Sequence, residues 1–297
     1  MGGLALGTVQ LGMDYGVCNR TGKPAFAEAL AIVRGAFKGG VREFDTAQGY
    51  GDSEAVLGRA FAELGIADRV AVTSKCHAEP GEASPEEVAD LVGGSLERLG
   101  VPRLSCLLWH REAVLEQGDL AAAIVDSLRG QGLSDRFGVS VYSPELALRA
   151  LETGWVDLVQ LPGNILDRRF ERAGVFALAA ELGKAICLRS VFLQGLLLAA
   201  PDEAARRLAP MGPILGRMHA LAGRLGTTPL SLCLGFVRRA YPDATVLFGA
   251  ETRGQVDEAL EGWAARLPED VVESVRTEFG DIDERILNPV RWKELAS

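Results

Sequence analysis

The sequence has little of what metal binding and disulfide bonding require. It holds three histidines, and its five cysteines (18, 76, 106, 187 and 233) include no CxxC pair. A histidine-rich metal site is therefore not expected, and we predict no metal. Several of the cysteines lie in apolar segments, as the reduced core thiols of a cytosolic protein do.

Positive charge and long apolar runs are also scarce. The chain has 31 Lys and Arg against 40 Asp and Glu, a net charge of −9. A general nucleic-acid or anionic-membrane binder would have the opposite balance. No apolar run approaches a membrane span, and the start MGGLALGTVQLG lacks the basic residues and cleavage site of a signal peptide. We therefore expect a cytoplasmic protein with no nucleic-acid or membrane partner. No long heptad pattern appears, and the sequence does not indicate the oligomeric state.

Short β-like runs alternate regularly with helical patterns along the 297 residues, 48% of which are hydrophobic. Short β-like runs are predicted as strands over 4–9, 42–46, 70–75, 104–110, 136–141, 156–161, 185–190 and 244–249. Helical patterns are predicted over 26–38, 53–64, 85–98, 119–131, 144–153, 171–182, 228–240 and 254–265. The stretches SPEEV (84–88) and SPEL (143–146) each place Ser at an N-cap and Pro at the next position.

Eight strand–helix units in this length predict an α/β protein with a parallel (β/α)₈ TIM barrel. A doubly wound sheet is the alternative, but the first strand runs into GTVQLGMDYG, which does not match its GxGxxG turn. An extra helix (213–225) before the seventh main helix and a C-terminal tail after 267 complete the prediction. No low-complexity linker divides the chain, so residues 1–297 are predicted to form a single domain.

Polar residues follow three consecutive predicted strands. Asp45 ends the second strand, Lys75 ends the third and His110 ends the fourth, while Tyr50 lies in the loop after Asp45. Barrel active sites lie where the strands end, so these side chains are expected to converge. A phenol titrates near pH ~10, but a neighbouring ammonium lowers that pKa and a carboxylate fixes the ammonium. The group suits protonation of a carbonyl oxygen during hydride addition, with His110 either orienting that oxygen or sharing the proton.

Each of these residues also has an ordinary structural explanation. Asp45 fits a turn residue and Tyr50 a half-buried packing residue. Lys75 fits a surface lysine, and His110 fits a hydrogen-bonded structural histidine. The catalytic hypothesis rests on all four occurring together at successive strand ends.

The stretch FDTAQGYGDSE (44–54) carries two of the four. Gly49 and Gly51 are expected to permit the backbone angles that turn Tyr50 back toward the barrel mouth. Asp52 and Ser53 are expected only to start the next helix.

DTAQGYGDSEAVLG (45–58) resembles the DTAxxYGxSExxLG signature of the aldo-keto reductases. The resemblance continues in order through VTSK (72–75), LLWH (107–110), GVSVYSPE (138–145), VQLPGN (159–164), RSVFLQGLL (189–197) and FGAETRGQVDEAL (248–260). It covers most of the chain. It implies a (β/α)₈ barrel, hydride transfer between a nicotinamide cofactor and a carbonyl or alcohol, Tyr50 as acid/base, and Asp45, Lys75 and His110 as its supporting residues.

The resemblance also implies a cofactor site. The positions assigned to it are Gly7, Thr8, Ser140, Gln160, Arg189, Ser190, Phe192, Gln194, Gly195, Gly249, Ala250, Thr252, Arg253 and Gln255. Family habit favours NADP(H), with Arg253 near a 2′-phosphate. The acidic Glu251 weakens that preference and leaves NAD(H) as the alternative.

Arg189 departs from the family pattern, which often has a tyrosine at this position. A guanidinium can also stack on a flat ring, and its charge suits a pyrophosphate or an anionic substrate group. We hypothesise that Arg189 lines the site; the alternative is an arginine turned outward to pair with Asp157 or Glu181.

Substrate choice is expected to come from loops 10–24, 76–83 and 111–117 and from the tail. Gln10, Tyr15 and Trp109 are predicted to contact a small carbonyl compound or a sugar, although Trp109 also fits the core. Two other function classes remain open. One is an aldolase-type barrel in which Lys75 forms a Schiff base, and the other is a barrel that binds nicotinamide nucleotide and regulates a partner.

Overall fold

A computed structural model describes residues 2–78 and 81–295, and in them eight parallel strands close into a barrel. Each strand pairs with the next in the sequence, and the last pairs with the first. The strands are β1 (Leu4–Gly7), β2 (Glu43–Asp45), β3 (Ala71–Cys76), β4 (Cys106–Trp109), β5 (Phe137–Ser140), β6 (Leu158–Pro162), β7 (Ala185–Arg189) and β8 (Thr245–Gly249). The predicted single-domain (β/α)₈ barrel is therefore confirmed.

Helices follow the strands and cover the outside of the barrel. The first seven are α1 (Val9–Gly12), α2 (Phe26–Lys38), α3 (Ser53–Leu64), α4 (Pro85–Leu99), α5 (Gly118–Gly130), α6 (Pro144–Glu152) and α7 (Arg169–Arg172). The others are α8 (Val175–Glu181), α9 (Pro201–Arg207), α10 (Met211–Arg224), α11 (Pro229–Ala240), α12 (Arg253–Ala264), α13 (Val271–Glu278) and α14 (Glu284–Leu287). Short 3₁₀ turns occur at Ala67–Arg69, Glu112–Gln117, Leu196–Leu198 and Pro289–Leu295.

The predicted helix starts follow from their capping residues. The Ser84 hydroxyl accepts a hydrogen bond from the Glu87 N–H, and the Glu87 side chain accepts one from the Ser84 N–H. Ser143 caps α6 in the same way through the N–H of Leu146. Each cap satisfies an N–H group that the helix itself leaves without a partner, so these starts could be located from sequence.

Some boundaries differ from the prediction. The first strand ends at Gly7 instead of residue 9, because residues 9–12 form α1. The helix predicted over 171–182 is two pieces, separated at Gly174, whose φ of +80° is left-handed. The extra helix before the seventh main helix is α10, with the shorter α9 before it. Residues 79–80 of the 76–83 loop and 296–297 of the tail lie outside the described residues.

Alternation along the strands separates two apolar regions. On β4, Leu107 and Trp109 belong to the large core between the barrel and its helices. Cys106 and Leu108 belong to a smaller cluster with Leu158 and Cys187. Because successive side chains of a strand point to opposite faces, this smaller cluster lies inside the barrel. The same alternation directs the strand-end residues that form the site.

Among the described residues, no single helix has the length and apolar composition of a membrane span. The pair α10 and α11 meets that criterion only when joined across a bend of 83°.

Candidate active site

A cavity of ≈ 550 Å³ opens at the carboxyl ends of the barrel strands. All four predicted catalytic residues, Asp45, Tyr50, Lys75 and His110, line it. Asp45 is the last residue of β2, Lys75 lies near the end of β3, and His110 directly follows β4. Parallel strands in register bring residues that are 30 to 65 positions apart in the sequence to one edge of the barrel, which is why a sequence pattern could predict the cluster.

A buried ion pair lies at the base of this cluster. The Lys75 ammonium donates hydrogen bonds to Asp45 Oδ1 and, at 3.0 Å, to the Thr46 carbonyl. Lys75 is 1% exposed and Asp45 4%. Burial by itself would lower the pKa of Lys75, but the Asp45 charge and its hydrogen bond, together with Tyr50, raise that pKa overall. Lys75 is therefore held as a cation.

Tyr50 lies beside that cation. The Lys75 Nζ is 5.1 Å from the centroid of the phenol ring. Burial raises the pKa of Tyr50, and although Lys75 lowers it, Asp45 raises it again, so the net direction is upward. The effect of Lys75 has the predicted sign, but it is smaller than that of burial. Tyr50 is thus a neutral phenol at pH 7, the state that donates a proton.

His110 meets Tyr50 edge to face. The ring centroids are 5.5 Å apart and the planes are inclined by 81°. Burial, followed by the charges of Lys75, His77, Arg189 and Arg111, lowers the pKa of His110 to about 4. A neutral imidazole offers a hydrogen bond but no labile proton at pH 7, so His110 suits orienting a carbonyl oxygen.

The two glycines around Tyr50 do different things. Gly51 has φ +56°, and a Cβ there would lie 2.4 Å from the Gly12 carbonyl oxygen, so this turn requires glycine. Gly49 does not have a left-handed φ. A Cβ on Gly49 would lie 3.3 Å from Nδ1 of His77, so this glycine leaves space beside the histidines.

Ser53 and Glu54 do more than start a helix. The Ser53 hydroxyl donates to the Thr8 carbonyl oxygen at 2.7 Å, tying α3 to the loop after β1. Glu54, 4% exposed, accepts from Ser74 at 2.6 Å and from Arg98 at 2.7 and 2.9 Å. Ser74 precedes Lys75, so this network positions β3 at the site. Asp52 pairs with Lys23 at 2.5 Å and its side chain makes no cap bond.

Most of the predicted cofactor residues lie on the same cavity wall. These are Gly7, Thr8, Ser140, Gln160, Arg189, Ser190, Phe192, Gln194, Gly195, Gly249 and Gln255. The loop after β7 is strained, with left-handed φ values at Ser190 (60°), Leu193 (48°) and Gln194 (57°). Such strain is found mainly at functional sites, where the surrounding structure maintains it.

Three predicted cofactor residues do not line the cavity. Ala250 is buried, and the Thr252 hydroxyl caps α12 by accepting from the Gln255 N–H at 3.3 Å. The Arg253 side chain pairs with Asp257 at 2.6 Å, and a Cβ on Gly35 of α2 would contact it. The prediction that Arg253 faces the site is therefore corrected: its guanidinium packs against α2.

Of the three predicted substrate residues, two line the cavity and one lies in the core. Gln10 and Tyr15 line the cavity. Trp109 is 1% exposed and packs on Trp155 with ring centroids 5.2 Å apart. The prediction that Trp109 contacts a substrate is corrected, because Leu108 faces the barrel interior and its neighbour must face the helices.

Two lining features were missed by the sequence reasoning. Arg20 of the loop after β1 pairs with Glu203 of α9 at 2.6 Å, joining two segments that border the cavity. Tyr142, two residues after β5, stacks on the Arg189 guanidinium. The polar composition of loop 10–24 indicated a ligand-facing segment, but no local signal specified the partner of Arg20, 183 positions away.

Two buried side-chain oxygens in the cavity wall have no hydrogen-bond partner in the part of the chain that the structure describes. They are Oε1 of Gln10 and Oε1 of Gln160. Gln160 donates its amide to Asp45 Oδ2 at 2.8 Å, so its oxygen is left as an acceptor. A ligand with an amide N–H₂, such as a nicotinamide, would satisfy such an acceptor. The cavity volume lies in the range of cofactor sites. No group of three or more potential metal-binding side chains occurs in residues 2–78 and 81–295.

A family model described as "Aldo/keto reductase family" matches residues 3–277. The chain is 27% identical over 183 residues to the NADH-specific methylglyoxal reductase of Escherichia coli (strain K12), covering 54% of this chain and just over half (56%) of that relative. It is 23% identical over 269 residues to aldo-keto reductase str7 of Strobilurus tenacellus, covering 84% and 80%. The solved structure of aldose reductase from Giardia lamblia has the same fold, with a TM-score of 0.72 at 19% identity over 98% of this chain and 97% of that one.

Proposed function

Because the chain belongs to the aldo/keto reductase family, we propose that it reduces the carbonyl group of a small aldehyde, ketone or sugar, with Tyr50 as the proton donor. Membership implies an oxidoreductase that uses a nicotinamide cofactor. The observation that carries the proposal is the meeting of Asp45, Tyr50, Lys75 and His110 at one end of one cavity.

The neutral Tyr50 hydroxyl is the proposed source of the proton that the carbonyl oxygen accepts. When bound, a reduced nicotinamide supplies the hydride that adds to the carbonyl carbon. The carbonyl oxygen gains negative charge as its π bond breaks, and the Tyr50 hydroxyl donates the proton that neutralises it. The phenolate that remains is stabilised by the Lys75 ammonium, which Asp45 holds in place.

His110 is assigned a supporting role in this step. With a pKa of about 4 it is neutral at pH 7, and a neutral imidazole carries one ring N–H that can donate to a substrate oxygen. Such a donor stabilises charge that develops on oxygen without itself transferring a proton. We therefore expect activity to be insensitive to His110 protonation between about pH 6 and 9, well above that pKa.

The surroundings of Lys75 do not favour the Schiff-base alternative. A nucleophilic lysine must be neutral and accessible, whereas Lys75 is buried, paired with Asp45 and raised in pKa. A barrel with only a regulatory function would be expected to have lost one of the four predicted catalytic residues, and all four are present. Turnover distinguishes these functions.

The direct test is a carbonyl panel. Purified protein with NADH or NADPH is offered methylglyoxal, glyceraldehyde, 4-nitrobenzaldehyde and aldohexoses, and nicotinamide absorbance is followed. We expect consumption of the reduced cofactor with at least one aldehyde and an equal yield of alcohol. A protein that binds nucleotide but turns over no carbonyl would support the regulatory function, and substrate trapped on Lys75 by borohydride would support the aldolase.

The cofactor preference depends on charge at the other end of the cavity. Sequence favours NADP(H) with NAD(H) as the alternative, and the surroundings support the alternative. Glu251 and Glu258 line this end, whereas the Arg253 guanidinium is paired with Asp257. The Arg253 N–H, at the start of α12, donates to Glu28 at 2.6 Å. Carboxylates thus lie in and beside the segment 248–260, to which the family resemblance assigns a 2′-phosphate, and this arrangement does not favour added negative charge.

We propose that the protein prefers NAD(H). A ribose 2′-OH can donate to a carboxylate, whereas a 2′-phosphate adds about −1.5 to −2 charge beside two acids. The E. coli relative, whose name specifies NADH, agrees with this direction.

The preference is measured by binding. We expect Kd for NADH to be at least about tenfold lower than for NADPH by tryptophan fluorescence quenching, as Coulomb repulsion at this range implies. A Glu251→Gln/Glu258→Gln double variant should tighten NADPH binding about tenfold. The difference between the Kd values for NADPH and NADH should therefore become smaller.

Glu261→Gln is the matched control. It removes one negative charge from the exposed side of the same helix, outside the cavity lining. It should leave both Kd values unchanged. Equal Kd values for the two cofactors in the wild type, or tighter NADPH binding, would contradict the proposed preference.

A further inference from the structure

Arg189 is a half-buried cation in the cavity wall. It ends β7, and within the described residues its guanidinium makes three hydrogen bonds, all to neutral oxygens. Nη2 donates to the Val141 carbonyl at 3.1 Å, while Nε and Nη1 approach the hydroxyls of Ser140 and Ser190 at 3.4 and 3.5 Å. These contacts point the guanidinium into the cavity, and among residues 2–78 and 81–295 it makes no ion pair with Asp157 or Glu181, so the outward-turned alternative is not observed.

The other cations of the cavity are neutralised by the protein. Lys75 pairs with Asp45, and Arg20 pairs with Glu203. Within residues 2–78 and 81–295, Arg189 makes no ion pair with a carboxylate. A charge withdrawn from water without a partner is costly, so natural proteins rarely maintain one unless a ligand compensates it.

The free donors of Arg189 match a particular ligand shape. A guanidinium has five N–H donors, and the three hydrogen bonds leave one N–H on each terminal nitrogen without an acceptor among residues 2–78 and 81–295. Two such donors in one plane receive a carboxylate or a phosphate in a bidentate manner. The Tyr142 ring, 4.0 Å below the guanidinium carbon, holds its plane in one orientation.

Arg189 also lies near the proton donor. Burial, Lys75 and His77 contribute most to lowering the pKa of His110, and Arg189 lowers it further. Burial raises the pKa of Tyr50, and the charge of Arg189 acts in the opposite direction. Arg189, Tyr50 and His110 line the same cavity of ≈ 550 Å³, so an anionic group held by Arg189 would occupy the cavity that receives the reacting carbonyl.

We propose that Arg189 binds an anionic group of the substrate, so that the enzyme selects carbonyl compounds bearing a carboxylate or a phosphate. Oxo acids, sugar acids and sugar phosphates have this chemistry. The inference rests on the proposed carbonyl reduction for its kinetic test, and its binding test is independent of turnover.

The kinetic test uses carbonyl pairs that differ only in the anion. They are 4-carboxybenzaldehyde with its methyl ester, glucuronate with glucose, and glyceraldehyde 3-phosphate with glyceraldehyde. We expect wild-type kcat/KM to favour the anionic member of at least one pair. Arg189→Met, which keeps the length and removes the charge, should lower that anionic-to-neutral ratio about 10- to 100-fold. The acid pairs and the phosphate pair identify which anion is preferred.

Two variants guard the interpretation. Arg189→Lys retains the charge without the fork and should recover part of the ratio. Arg103→Gln removes an exposed cation that pairs with Asp135 away from the cavity, and should change neither activity nor ratio. A ratio unchanged in Arg189→Met, or shifted equally by Arg103→Gln, would overturn the proposal.

Binding separates this inference from the reaction and from the cofactor. The Kd of 4-(hydroxymethyl)benzoate and of its neutral amide is measured by calorimetry with NADH present, beside the Kd of NADH itself. Selective loss of benzoate binding in Arg189→Met supports the anion site even if no carbonyl is turned over. Weaker NADH binding with unchanged benzoate selectivity would assign the guanidinium to the cofactor and overturn the proposal.

Discussion

Tyr50→Phe should reduce carbonyl turnover by about 10²- to 10⁴-fold, the usual contribution of a positioned general acid. The substitution removes one hydroxyl from a ring whose packing against His110 is otherwise kept. The other members of the cluster do not replace this donor at pH 7, since His110 is neutral and Lys75 is held as a cation by Asp45. The loss should therefore appear in kcat, measured by steady-state nicotinamide absorbance.

The fold and the nucleotide affinity should be retained in this variant. Thermal unfolding and the Kd for NADH are expected to stay close to those of the wild type, because the Tyr50 hydroxyl interacts with Lys75, whose ammonium keeps its hydrogen bonds to Asp45 and Thr46 in the variant. Tyr241→Phe is the matched control: it deletes a hydroxyl that donates to Glu171 outside the cavity, and should keep full turnover. Near-normal activity in Tyr50→Phe would remove this residue from the acid role.

Lys75→Met should lower kcat about as strongly and should also destabilise the protein. Lys75 lowers the pKa of Tyr50 against the effect of burial, so its removal makes the phenol a weaker acid. Reduction needs the protonated phenol, so the alkaline limb of the kcat/KM profile should move to higher pH. The direction of this shift is measured by comparing the pH profiles of kcat/KM for the variant and the wild type. An alkaline limb that moves to lower pH would contradict the proposed effect of Lys75 on the pKa of Tyr50.

The stability effect has a separate cause. The Lys75→Met substitution would leave the Asp45 carboxylate buried with only the Gln160 amide as a hydrogen-bond donor from its former network. Breaking a buried ion pair in this way costs about 3–5 kcal/mol of unfolding free energy. An Asp45→Asn/Lys75→Met double variant removes both charges and should recover most of that loss in urea unfolding without recovering activity. Recovery of activity would show that the pair acts only through stability.

Local signals explain what could be predicted. The helix starts at residues 85 and 144 follow from Ser–Pro caps, and the strands follow from short apolar runs. The placement of Asp45, Lys75 and His110 followed from a property of the barrel, that residues ending neighbouring strands meet at one edge. Neither step needs the conformation of a particular side chain.

Other features depend on which way a side chain turns. Trp109 and His110 are adjacent, yet one enters the core and the other the cavity, because strand alternation sends them to opposite faces. The side chain of Arg253 pairs with Asp257, one helical turn along α12, instead of facing the cavity. The strand face decides the orientation of Trp109, and the choice of an ion-pair partner decides that of Arg253. A linear sequence pattern does not rank these possibilities.

The sequence by itself determined the barrel, the order of its elements and the four residues at its mouth, because periodicity, capping and strand-end position are local properties. Only the tertiary structure decided the electrostatics. Burial outweighs Lys75 in setting the pKa of Tyr50, and of the three cations lining the cavity Lys75 and Arg20 are paired within the described residues while Arg189 is not. Such balances depend on distances between residues far apart in the chain and on how much water reaches them, which folding alone establishes.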